Sequence, residues 1–325
     1  MATRTLESSP SILPLYARAA APMIPGASLL PFIPGRGKKI PEIELELAGV
    51  RAEPETVAAY ARVCGFALRD HLPPTYPHVL AFPLHMAVMA DGSFPFGAVG
   101  LVHVENQIDQ LRPIGQGEEL TLRVRPTPLE PHPRGQTFSL VTEVRAGDEL
   151  VWQSVSTMLH RGQQPADGPK GEEQRADGPK GPIGGDSSAR QPGEVGSSAH
   201  GPGEASAEWK LGDDLGRRYA AVSGDRNPIH MHALTAKPLG FPRAIAHGMW
   251  TKARCLAALE SRLPDAFGVE VRFRKPILLP ARVEFASATR GDSVEFAVRD
   301  AKRQTPHLDG RVRPLGSSPK AGRSN

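Results

Sequence analysis

The 325-residue chain is long enough for two ordinary domains, and its 33 glycines and 33 prolines crowd into particular segments, leaving apolar material elsewhere for sizeable cores. A net charge of +4 at pH 7 comes without a Lys/Arg block carrying interleaved aromatics, which argues against a nucleic-acid partner, whereas a mildly basic surface suits coenzyme phosphates or an acidic carrier protein alike. Cys64 and Cys255 have neither disulfide-framework nor metal-ligand spacing, and no apolar run approaches the roughly 18 residues of a membrane span, so a cytoplasmic protein with two reduced core thiols is expected.

Residues 1–40 are expected to form an irregular N-terminal arm, because Pro10, Pro14, Pro22, Pro25, Pro31 and Pro34 interrupt its apolar patch. Ile43, Leu45 and Leu47 then alternate as in a half-buried strand. Glu53-Pro54-Glu55 opens a helix through Val57, Tyr60 and Val63 that stops at Cys64-Gly65. The prolines of 73–83 predict a loop, followed by a short helix over Leu84–Met89. Strands are predicted at Val99–Val104, Leu120–Val124, Phe138–Val144 and Leu150–Val155, an antiparallel meander separated by turn signals.

Residues 162–206 differ in kind. Ala166-Asp-Gly-Pro-Lys-Gly recurs from Ala176, and Ser187-Ser-Ala-Arg-Gln-Pro-Gly-Glu recurs, with two changes, from Ser197. Such a Gly-, Pro- and Ser-rich stretch cannot bury a core and is read as a flexible linker.

The plan then repeats. Asp213 or Asp214 caps a short helix carrying Leu215, Tyr219 and Val222, and Ser223-Gly224 ends it. A polar loop, Asp225-Arg226-Asn227-Pro228-Ile229-His230, follows. Gly248 opens a longer helix through Met249, Ala253, Leu256, Leu259 and Leu263. Strand patterns follow at Val269–Phe273, Val283–Phe285 and Val294–Val298, with a disordered tail expected over 314–325. Laid on one another, the halves match Tyr60 with Tyr219, Cys64 with Ser223, Gly65 with Gly224 and His71 with His230. Phe66 falls opposite Asp225 and Leu68 opposite Asn227, so the first copy keeps the frame and lacks the acid.

Ser223-Gly224-Asp225-Arg226-Asn227-Pro228-Ile229-His230, continued by Ala246-His247-Gly248-Met249, resembles the signature of the MaoC-like, (R)-specific enoyl-CoA hydratases, or hydratase 2. Tyr60-Ala-Arg-Val-Cys-Gly and Thr75 to Met86 are similar to the first half of two-hot-dog members of that family. The resemblance spans 41–161, a degenerate N-terminal hot-dog domain, and 207–313, a catalytic one. It implies an α+β double hot-dog fold, two central helices each wrapped by an antiparallel sheet, with one chain forming an internal pseudo-dimer and a homodimer left open. It implies Asp225 and His230 as the catalytic dyad, and the Gly248 amide as the donor to the thioester oxygen. Asn227 and Ser223 would support the loop, and His247 would stand behind the dyad or pack as a core histidine.

The chemistry points the same way. Adding water across an enoyl thioester, bound to coenzyme A or acyl carrier protein, needs water polarised against C3 and a proton for C2. A carboxylate and an imidazole at one water divide that work, with no metal or redox cofactor required. A helix N-terminal amide meets the charge developing on the thioester oxygen. The N-terminal half would then shape the acyl channel. Arg272, Arg274 and Lys275 suit either coenzyme phosphates or a solvated strand edge. A non-catalytic acyl-thioester-binding hot-dog module or partner subunit, and a hot-dog thioesterase, remain the alternative readings.

Overall fold

The computed structural model describes residues 2–20, 37, 39–161 and 205–316. The N-terminal half holds strands β1 (Ala2–Leu6), β2 (Ile43–Val50), β3 (Val102–Gln110), β4 (Leu120–Pro126), β5 (Glu130–His132), β6 (Gly135–Ala146) and β7 (Glu149–Arg161). Its helices are α1 (Ile12–Ala20), α2 (Pro54–Cys64) and α3 (Tyr76–Met89). The C-terminal half holds β8 (Ala205–Leu211), β9 (Phe267–Phe273), β10 (Ala281–Arg290), β11 (Ser293–Asp300) and β12 (Pro306–Pro314). Its helices are α4 (Leu215–Ser223), α5 (Pro228–Met231), α6 (Ala233–Ala236) and α7 (Gly248–Ala258).

The 12 strands of the described residues join one sheet in the order β1-β2-β4-β6-β7-β3-β9-β12-β11-β10-β8, with β5 paired to β6. Leaving out β1 and β5, each half repeats the same strand order outward from a shared seam. That seam is the antiparallel pair β3–β9, with Glu105 opposite Arg272 and Gln110 opposite Phe267. Alternate residues such as Leu120, Leu122 and Val124 of β4 are buried, the period that a sheet closing on a helix requires. Each buried side chain of this kind contributes about 1.5–3 kcal/mol. The expected α+β double hot-dog fold is present.

Several elements depart from the sequence expectations. The arm expected to be irregular carries β1, which pairs in parallel with β2, and α1. Residues 73–83, expected as loop, contain the start of α3, which runs unbroken through Pro83. Pro77 sits in the first turn, where a missing N–H costs nothing. An interior proline costs about 3 kcal/mol. Tyr76, Ala81, Leu84, Met86, Val88 and Met89 are all buried on this helix, which offsets that cost.

The strand expected at Val99–Val104 lies further on, at Val102–Gln110, over polar residues. They are tolerated at the sheet centre because their partners come from elsewhere. Asn106 donates to Ser156 Oγ at 3.0 Å, and its own oxygens accept from Lys252 Nζ. Lys252, fully buried on α7, also reaches the carbonyl of Val269, so one Nζ ties α7 to both seam strands. Burial holds its pKa well below that of a free lysine.

The helix expected to reach Leu263 stops at Ala258 and gives way to a 3-10 turn over Glu260–Arg262. β8 and β12 had no strand expectation; the latter is broken by Gly310 and charged residues and is recruited between β9 and β11. Linker residues 162–204 and tail residues 317–325 lie outside the described residues, while 205–206 belong to β8 and Pro314 to β12. Among the described residues no helix is long and apolar enough to cross a membrane.

Candidate active site

The polar loop is built by local rules. Gly224 ends α4 in the left-handed region, φ 76°, which turns the chain sharply before Asp225, just as Gly65, φ 85°, ends α2. Ser223 Oγ accepts from the Asp225 amide at 3.2 Å. Asn227 caps α5, its Oδ1 accepting from the Ile229 amide at 3.4 Å, and Pro228 fits the first turn. One turn later His230 is buried.

The ring of His230 donates from Nδ1 to the carbonyl of Ile245 at 2.8 Å. Its Nε2 therefore keeps the lone pair. Burial holds its pKa below the usual histidine value, against the pull of Asp225, so it is neutral at pH 7. His247 stacks on it, ring centroids 3.6 Å apart, and donates from Nε2 to the Asp225 carbonyl at 3.0 Å. His247 thus ties the loop down, while its buried Nδ1 has no partner among the described residues. Burial presses its pKa down to about 3.

Asp225 is half-buried, and burial works to raise its pKa. The electrostatic pull of the His247 and His230 rings beside it, with hydrogen-bond donors from Asn227 and Tyr16, more than reverses this, so it is held below the ordinary carboxylate value. One ligand atom each from Asp225, His230 and His247 falls within 4.8 Å of the others. Gly248 begins α7 beside them, with Phe273 so close that an added Cβ would stand 3.0 Å from its ring. Its amide is one of the unpaired donors of a helix N-terminus.

These groups line one cavity of about 250 Å³. Its far wall comes from the other half: Val79, Phe82, Met86 and Met89 of α3, with Val102, Met158 and Leu159. His78, His85 and His103 stand among them, kept uncharged by burial, which takes His78 to about 4 and His103 to about 3. Exposed Arg134, Arg161, Arg274 and Lys275 also line it, a basic rim around an apolar interior. Arg272 is not part of it and pairs with Glu105 across the seam.

Six residues singled out in the sequence, Ser223, Asp225, Asn227, His230, His247 and Gly248, are therefore brought together. Tyr16 was missed: its hydroxyl lies 2.8 Å from Asp225 Oδ1. Arg134 and Arg161 were missed too, since a single arginine in the turn between β5 and β6 and another at the end of β7 carry no pattern. The matching region of the first copy is filled differently. Phe66 is buried, and Glu260 accepts from the Ala67 amide at 3.0 Å and pairs with Arg69 at 2.8 Å.

Known proteins share this arrangement of sequence and fold. Residues 197–310 match the MaoC like domain. The 3-hydroxyacyl-thioester dehydratase X of Mycobacterium tuberculosis is 37% identical over 309 residues, 95% of this chain and 100% of that protein. The chain belongs to the MaoC-like dehydratase family. Among MaoC-like structures, HtdX of Mycobacterium tuberculosis superposes with a TM-score of 0.69 at 35% identity, covering 84% of this chain and 100% of that one. A MaoC-like dehydratase of Phytophthora capsici has the same fold, with a TM-score of 0.67 at 20% identity over 85% of this chain and 96% of its own.

Proposed function

We propose that the protein is a hydro-lyase that interconverts a trans-2-enoyl thioester plus water with the (3R)-3-hydroxyacyl thioester. The observation that carries this reading is the convergence of the Asp225 carboxylate and the neutral His230 at the end of an apolar cavity, beside the N-terminus of α7. Kinship with a 3-hydroxyacyl-thioester dehydratase of equal span supports it.

In hydration, Asp225 and His230 hold one water. The dyad takes a proton as the water oxygen bonds to C3, and the C2=C3 electrons move toward the thioester. The enolate oxygen so formed meets the Gly248 amide and the positive end of α7. The proton is returned to C2. Water supplies both the hydroxyl and the hydrogen, so Asp225 ends as a carboxylate and His230 as a neutral ring. Asn227 and Ser223 hold the loop, and His247 backs the His230 ring.

The acyl chain runs along the apolar wall of α3. The basic rim of Arg134, Arg161, Arg274 and Lys275 suits the phosphates of a pantetheine arm, on coenzyme A or on a carrier protein.

The test is hydration of crotonyl-coenzyme A, followed by loss of enoyl absorbance. Asp225→Asn is expected to lower turnover by at least a thousandfold while the circular dichroism spectrum is unchanged. Retained turnover in that variant, or release of free thiol by the wild type, would overturn the assignment.

A further inference from the structure

We propose that Tyr16 is a positioning residue of the acid–base site: its hydroxyl fixes one oxygen of Asp225, so that the other is the one presented to water. This rests on Asp225 being the acid–base carboxylate. The two residues are 209 positions apart and meet only because α1 lies over the loop.

Proton accounting sets the direction of the contact. The Arg226 amide lies 2.7 Å from Tyr16 Oη and can only donate to it. The single hydroxyl proton is therefore directed to Asp225 Oδ1, 2.8 Å away. Oδ1 also accepts from the Asn227 amide at 3.1 Å. Among the described residues Oδ2 accepts no hydrogen bond: His247 Nε2 stands 3.8 Å away, and that nitrogen is already donating to a carbonyl. The two oxygens are thus inequivalent, one held by two donors and one open. Burial and the neighbouring carboxylate both raise the pKa of the phenol, so it remains a donor throughout the working pH range.

The helix that carries Tyr16 is itself held. Ile12 packs against Gly224, where an added Cβ would stand 2.7 Å from its Cδ1, and α1 lies along α3. β1 is secured to β2 by five register pairs, from Ala2–Ile43 to Leu6–Leu47. The two matching halves are complete without this segment. Its contribution to the cavity is Tyr16.

The titratable groups facing Asp225 are Tyr16 on α1, Tyr219 on α4, His230 on α5, His247 before α7, His78 on α3 and His103 on β3. Among them Tyr16 and Tyr219 stay protonated, and the four histidines stay neutral at pH 7. Removing the Tyr16 donor therefore raises the pKa of Asp225 without changing the charge of a neighbour.

The experiment compares wild type with Tyr16→Phe. Hydration of crotonyl-coenzyme A is measured against pH, and the Asp225 carboxyl is titrated by carbon NMR in substrate-free protein. Expected are a loss of about tenfold in kcat, little change in KM, and an acid limb and carboxyl titration both moved to higher pH. An unchanged kcat with an unmoved titration overturns the proposal, and so does a loss confined to KM. If the wild type hydrates no enoyl thioester, the functional reading fails by itself; the NMR titration then decides the Tyr16 contact alone, an upward shift supporting it and none refuting it.

Discussion

At the scale of single residues, tautomers decide what the site can hold. Asp225, His230 and His247 are close enough to suggest a metal, with ligand atoms within 4.8 Å. Two ring nitrogens, however, are already donors: His230 Nδ1 to Ile245 and His247 Nε2 to Asp225. The lone pair of His247 lies on Nδ1, a buried atom sealed from solvent. That leaves one carboxylate oxygen and one imidazole nitrogen, short of the three protein ligands a catalytic zinc takes. Dialysis against a strong chelator is therefore expected to leave enoyl thioester hydration unchanged. A loss restored by added zinc would show that the rings turn over and bind metal. The residues of this loop were legible because they lie within eight positions, Ser223 to His230, where backbone geometry alone keeps them together.

At the scale of elements, the site depends on how closely α4 and α5 approach. Gly216 on α4 makes room for the backbone of His230: a Cβ there would stand 1.9 Å from the His230 carbonyl oxygen. Backbone cannot rotate away as a side-chain tip can, so Gly216→Ala must push the helices apart. The expected cost is about 1–3 kcal/mol of stability, together with at least a tenfold fall in kcat as His230 shifts. Thermal melting and steady-state kinetics would check both, and a variant with wild-type values in each would refute this close-contact account. Sequence patterning served the elements unevenly. α2, α4 and β4 follow their periods closely. α3 does not, because its prolines signal a loop while its apolar residues, buried on nearly every side, hold it as a helix.

At the scale of the whole molecule, five histidines sit in one uncharged cluster: His78, His85, His103, His230 and His247. Burial is the leading cause of the lowered pKa in each. Below the ordinary histidine value near 6.5, the unfolded chain takes up protons that the folded one refuses. The stability these groups contribute is thus fully present above about pH 6.5 and is lost as pH falls, at about 1.4 kcal/mol per pH unit for each histidine until its folded pKa is reached. Asp225 acts in the same direction, but only below its ordinary carboxylate range. Urea midpoints are expected to drop steeply between pH 6.5 and pH 5. Equal midpoints at pH 7.5 and pH 5 would contradict a neutral, buried cluster.

The repeated plan and the loop from Ser223 to His230 were legible in the amino-acid sequence, and the double hot-dog fold followed from the family resemblance which that loop carries. The plan and the loop rest on periods and spacings of a few residues, where a left-handed glycine, a capping Asn or an alternating strand acts on its own neighbours. Tertiary structure alone decided the rest. It turned the polar run of β3 into the seam strand, because Lys252 and Ser156 satisfy Asn106 from other elements. It set Glu260 against Arg69 and the Ala67 amide in the first copy, where the acid is lacking. It also brought Tyr16 across 209 residues to Asp225. A hydrogen-bond partner that distant leaves no trace in local pattern, since its placement depends on how whole elements pack.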